Sequence, residues 1–288
     1  MKTKRVLKNQ LWFIILTSLL LTELGSYLGI YINMPIRNLL ERFREVLPQG
    51  FSQNFLVYFV FFGVHVLTLI YILLTRREVL KRLVHGYKGN TWKLLILGVL
   101  AGLLCNSVGI GIAALNGDLT FELSGMKLWT VFVLFFAIFV QSSAEELVFR
   151  GYVYQYVRDS YSVVPAIIVN SCIFALIHIF NTGITVFSML NIALFGVAMS
   201  LAIYRLESQW FAAAFHAGWN FCQAFIFGLP NSGSPATYSI LSVSSERGSI
   251  FYDKIFGIEG TVSTTVILVS LCLILYFCKK KGNSEKTD

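Results

Sequence analysis

The chain has 288 residues, of which 56% are apolar and only 13% charged, with a mean hydropathy of +0.69. That balance excludes an ordinary soluble domain and a disordered chain, and fits a single membrane domain spanning residues 1–288. The net charge of +8 does not imply a nucleic-acid partner. The basic residues gather at the N-terminus (Lys2, Lys4, Arg5, Lys8), between Arg76 and Lys93, and at Lys279–Lys281, as cytoplasmic segments of a membrane protein do.

A helix needs about 20 mainly apolar residues to cross a bilayer. Eight candidate stretches follow in chain order: 11–33, 54–74, 94–115, 128–150, 163–181, 184–204, 209–229 and 261–278. The predicted fold is all-α, a polytopic transmembrane helical bundle of about eight spans. Both basic ends then lie in the cytoplasm, and an odd number of spans would leave one of them outside. The first stretch lacks a small-residue cleavage pattern and reads as a retained span rather than a signal peptide. The short basic N-terminus suits a bacterial plasma membrane. Residues 34–49 carry Ile36, Leu39, Leu40, Phe43 and Leu47 at helical spacing, with charges between them and Pro35 at the start. This pattern predicts a separate amphipathic helix on the outer surface. Residues 1–127 thus hold the N-terminal spans, and 261–288 the last span and a basic tail. Segment 230–260, rich in Ser and Gly, reads as an outer loop. The five cysteines show no paired spacing, so neither a disulfide framework nor a thiolate metal site is expected.

Three polar sites interrupt the apolar stretches of 128–229: Glu145, Glu146 and Arg150; then His178; then His216 and Asn220. Ionisable groups in a bilayer are costly, and their default reading is functional. Glu145 and His178 lie 33 residues apart, with the turn RDSYS midway. A tight hairpin there would set both at one height, about 20–25 Å from the turn at 1.5 Å per residue. His216 begins its span from the same side, so a shared pocket near the inner half of the membrane is expected. Glu146 and Arg150 are one helical turn apart and can pair, which leaves Glu145 free. A free carboxylate in an apolar pocket suits a general base or acid. His178 could share a water with Glu145, and His216 with Asn220 could hold an oxyanion. Taken singly, each residue has a plainer reading: Glu146–Arg150 as a structural pair, each histidine as a packing residue, Asn220 as a bond between helices. His65 reads as packing or interface, His85 as solvated, and Glu23 as a buried carboxylate that snorkels or pairs with another helix, with a part in substrate access as the alternative.

The motifs Glu145-Glu146-Leu147-Val148-Phe149-Arg150, Phe174-Ala175-Leu176-Ile177-His178 and His216-Ala217-Gly218-Trp219-Asn220, in that order, resemble the CPBP family. That family comprises type II CAAX prenyl proteases and bacteriocin-processing and immunity-associated proteins. The resemblance implies an intramembrane endopeptidase that opens to the cytosol and cuts a peptide or membrane-protein substrate. Glu145 and His178 would activate water, His216 and Asn220 would stabilise the oxyanion, and Glu146 and Arg150 would support Glu145. Glu145, His178 and His216 are also a set that could hold a divalent metal such as Zn²⁺ with an open fourth position. There is no HExxH, and a metal-free glutamate mechanism uses the same residues. A membrane scaffold or immunity-type protein that binds in this pocket without cleaving is the alternative reading.

Overall fold

The computed structural model describes residues 2–278. The Lys279–Lys281 cluster and the polar tail lie outside the described residues, as do the side chains of the N-terminal lysines and of His85. In chain order the helices are α1 (Lys2–Arg42), α2 (Phe51–Phe59), α3 (Phe62–Thr75), α4 (Arg77–Lys81), α5 (Trp92–Leu115) and α6 (Leu128–Glu146). Helix α6 continues through a π-helical stretch, Leu147–Val153, into α7 (Tyr154–Ser160). Then come α8 (Val163–Leu176), α9 (Val186–Leu206), α10 (Gln209–Phe221) with a π-helical end Cys222–Ile226, and α11 (Val262–Phe277). Five helical stretches are long and apolar enough to cross a membrane: Leu11–Arg42, Phe51–Thr75, Trp92–Leu115, Leu128–Ser160 and Val186–Leu206. Helices α8 and α11 are apolar but shorter. Seven of the eight predicted stretches fall on these seven elements, and the eighth, 209–229, falls on α10 and its π-helical end, which is not among them.

One expectation needs correction and a second needs extension. The amphipathic helix predicted from Pro35 is not separate, because α1 runs unbroken through Pro35 to Arg42. A membrane helix tolerates the hydrogen bond that proline loses when its neighbours support it. Here Asn33 Nδ2 donates to the Leu56 carbonyl, and Leu40 and Leu47 pack on the cluster around Phe51 and Tyr58. The outer loop expected over 230–260 also holds structure that the reading did not give it. Its strand β2 (Leu241–Glu246) pairs antiparallel with β1 (Leu119–Leu123), which places Phe121 opposite Val243. Tyr252, Phe256 and Ile258 are buried.

The bundle has two distinct ends. At one, the β1–β2 ribbon joins segments 116–127 and 227–261, and buried Asp118 accepts hydrogen bonds from Asn116, Arg247 and Ser249. Asn181 Nδ2 donates to the Ser232 carbonyl, and Asn54 Nδ2 to Thr237 Oγ1. This is the roofed end. At the other, the Gly89 amide donates to the Glu207 carbonyl at 2.9 Å, Arg82 pairs with Asp159 at 2.8 Å, and Gln155 bonds Tyr87. Arg76, Arg77, Lys81, Arg82, Lys88 and Lys93 all belong to this basic end.

Helix α10 is seated on α5 through glycines. A Cβ at Gly102 would lie 2.1 Å from the Phe215 carbonyl oxygen, and one at Gly218 would lie 2.4 Å from that of Val99. Small residues let membrane helices approach this closely, and dispersion then holds them. The seat fixes the height and rotation of α10, and therefore of His216 and Asn220.

Candidate active site

The last turns of α6 carry Gln141, Ser142, Glu145 and Glu146, all buried. Glu145 and Glu146 stand where α-helical winding gives way to the π-helical stretch, which itself contains Arg150. Such π segments recur at functional sites because the extra residue re-aims side chains.

Glu146 sits between the Arg150 guanidinium and the His216 ring. Its Oε1 lies 3.1 Å from Arg150 Nη1 and 3.0 Å from His216 Nδ1. The pairing read from the four-residue spacing is therefore present, and His216 joins it. The guanidinium is fully buried and 4.3 Å from the centre of the Phe174 ring. None of its nitrogens makes an aligned hydrogen bond among the described residues. Charge proximity and the aromatic face, rather than directed hydrogen bonds, offset its burial.

Glu145 is held differently. Gln141 Nε2 donates to its Oε1 at 2.6 Å, and His216 Nε2 lies 3.8 Å from its Oε2. Asn220 Nδ2 reaches Gln141 Oε1 at 3.2 Å and Ser142 Oγ at 3.4 Å. Its amide is thus engaged by α6 and does not stand free in the pocket. Gln141, which links Glu145 to Asn220, went unread in the sequence. The argument that singles out Glu145, a polar side chain within an apolar helix, applies equally one turn earlier.

His178 stands in the turn after α8, just beyond Leu176, rather than inside the predicted span. Its Nδ1–H donates to the Phe174 carbonyl at 2.7 Å, since a carbonyl can only accept. In the neutral ring this leaves Nε2 with its lone pair.

All four predicted pocket residues, Glu145, His178, His216 and Asn220, line one cavity of about 310 Å³. Its other walls are Glu23 from α1, Tyr58 and Phe61 around the end of α2, and Asn181, Asn231 and Ser232 from the roofed end. The cavity therefore extends from mid-bundle towards the roof, and not towards the basic end where the shared pocket was expected. Glu23 is exposed at its wall with no hydrogen-bond or ion-pair partner among the described residues, so the expected buried pairing is absent. His65 bonds Ser143 of α6 and acts in packing, as read.

A second, smaller space of about 30 Å³ adjoins His178, His216, Asn220 and Glu259, enough for one water. Glu259, missed within the supposed loop, accepts from Gln223 Nε2 at 2.5 Å and from Ser232 Oγ at 3.4 Å. Burial pushes its carboxyl up to about 7, against the lowering effect of these donors.

Among the described residues no three His, Cys, Asp or Glu side chains converge at metal-ligand spacing. Glu146 occupies one nitrogen of His216, and the other stands 3.8 Å from Glu145. The Nδ1 contacts leave Nε2 open on both His178 and His216, as on a metal-binding histidine, while Glu145, His178 and His216 stand too far apart to share an ion at their present spacing.

No curated protein matches the chain. Residues 127–222, which carry all three motifs, match the family described as type II CAAX prenyl endopeptidase Rce1-like. That match covers a third of the chain and agrees with the resemblance to CPBP intramembrane proteases.

Proposed function

We propose that the protein is an intramembrane endopeptidase in which Glu145 activates water without a metal. The observation that carries this reading is the convergence of Glu145, His178, His216 and Asn220 on one cavity large enough to admit a peptide segment and water. A water between Glu145 and His178 Nε2 gives its proton to Glu145 as its oxygen bonds the scissile carbonyl carbon. The carbonyl π pair moves onto oxygen. Held at Nδ1 by Glu146, His216 turns its Nε2–H to that oxyanion. Asn220 adds its amide once it exchanges Gln141 for the oxyanion. Glu145 then returns the proton to the amide nitrogen as the oxyanion pair re-forms the C=O bond and the C–N bond breaks, which gives an amine and a carboxylic acid whose remaining proton passes to the amine. Glu146 and Arg150 act on the reaction through His216 and through the end of α6.

The test is a cleavage assay on protein purified in detergent, dialysed against EDTA and checked for residual metal, with a panel of prenylated and unprenylated peptides. Cleavage that survives metal depletion supports the reading. Cleavage that requires restored Zn²⁺ overturns the metal-free mechanism. No cleavage of any peptide overturns the protease reading and makes the pocket a binding site.

A further inference from the structure

The end of the bundle that the cavity faces is not the end that carries the positive charge. Asn181, Asn231, Ser232 and Ser234 line the cavity, and all belong to the roofed end. The roofed end, with segments 37–50, 116–127 and 227–261, holds Arg37, Arg42, Arg44, Lys127, Arg247 and Lys254 against Glu41, Glu45, Asp118, Glu122, Glu246, Asp253 and Glu259. At the opposite end, segment 76–93 alone holds six Lys or Arg and one Glu. Short connecting segments rich in Lys and Arg stay in the cytoplasm, so the roofed end is the one translocated.

Two further observations bear on what reaches the site. Glu23 lies mid-way along the apolar run of α1, exposed and unpaired among the described residues. A carboxylate at that depth is tolerable only where water reaches it, and its place on the cavity wall supplies that water. The same cavity is bordered by the exposed apolar side chains of Leu19, Val57, Leu176 and Phe180. A polypeptide could slide past this apolar rim from the bilayer without leaving it.

We infer that the site takes its substrate from the non-cytoplasmic face: a membrane-attached or exported polypeptide whose cleaved segment lies in the outer half of the bilayer, entering between α1–α2 and the end of α8. This rests on the proteolytic reading for the word substrate alone, since the direction of access follows from charge and cavity walls. It also separates this chain from an enzyme acting on cytosolic prenylated termini, whose substrate would meet the basic end.

The experiment uses the full chain in intact bacterial cells and a small membrane-impermeant cationic thiosulfonate. Single variants Ser234→Cys (roof), Glu23→Cys (cavity wall) and Lys88→Cys (basic end) are compared with the parent, whose own cysteines set the background. The expected result is modification of Ser234→Cys and Glu23→Cys from outside, about tenfold above Lys88→Cys, which reacts only after permeabilisation. The reverse pattern, or a Glu23→Cys thiol unreactive from either side, overturns the inference. Labelling needs no turnover. Reversed labelling with intact cleavage would leave a protease that faces the cytoplasm, and the expected labelling without cleavage would remove only the proteolytic reading.

Discussion

Glu146 and Glu259 are both buried carboxyls, the first in contact with His216 and the second lining the small space beside it, yet they are compensated in opposite ways. Glu146, inside the helical bundle, has the Arg150 guanidinium and the His216 ring as partners. Glu259, in the roof, has neutral donors, the Gln223 and Ser232 side chains and backbone N–H groups, among the described residues, and burial pushes its carboxyl up to about 7. The first arrangement holds fixed charge beside the reacting groups. The second places a neutral or readily neutralised carboxyl above them. The lesson is that burial alone does not define a carboxylate's role: the charge of its partners does.

Removing one partner of the charged cluster should have the largest effect on stability. Arg150→Met leaves Glu146 buried beside His216 and is expected to destabilise by about 3–5 kcal/mol, read as loss of folded protein in detergent. The double change Glu146→Gln with Arg150→Met should recover much of that loss but not activity. Recovery of activity as well would mean the pair is only structural. Next, Asn220→Ala should lower kcat by about 10²-fold with KM little changed, if its amide meets the oxyanion only in the transition state. An unchanged kcat would confine Asn220 to its bond with Gln141. Gly102→Ala forces α10 away from α5 and should cost about 1–3 kcal/mol, seen as a lower melting temperature.

The smallest effect is that of Glu259. A carboxyl raised from 4.5 to about 7 binds more protons folded than unfolded between those values. Its contribution to stability is therefore full below about pH 4.5, falls as pH rises through that window, and is flat above about pH 7. Glu259→Gln should flatten this slope while sparing low-pH stability. An unchanged slope would assign it to another group.

Much of the helical framework was legible because lipid imposes a simple rule, about 20 apolar residues per crossing, and a polar side chain within such a run stands out. Glu145, Glu146, Arg150, His216 and Asn220 were visible for that reason. The same rule says nothing about polar residues in polar segments, so Glu259, Asn231 and Ser232 were hidden in segment 230–260. The β1–β2 ribbon escaped because Leu119–Leu123 and Leu241–Glu246 are short and only weakly alternating. Pro35 misled because a proline that starts helices in water can sit inside one in a membrane. The direction in which the cavity faces was not legible at all, since it depends on which segments fold over the helices.

The central claim, that Glu145 moves the proton of the attacking water, is tested most directly by Glu145→Gln in proteoliposomes beside wild type at equal protein level. The amide keeps the shape and its contact with Gln141 but cannot accept that proton. The account predicts loss of peptide cleavage by about 10²–10⁴-fold with peptide binding retained, and cleavage within a few-fold of wild type would contradict it.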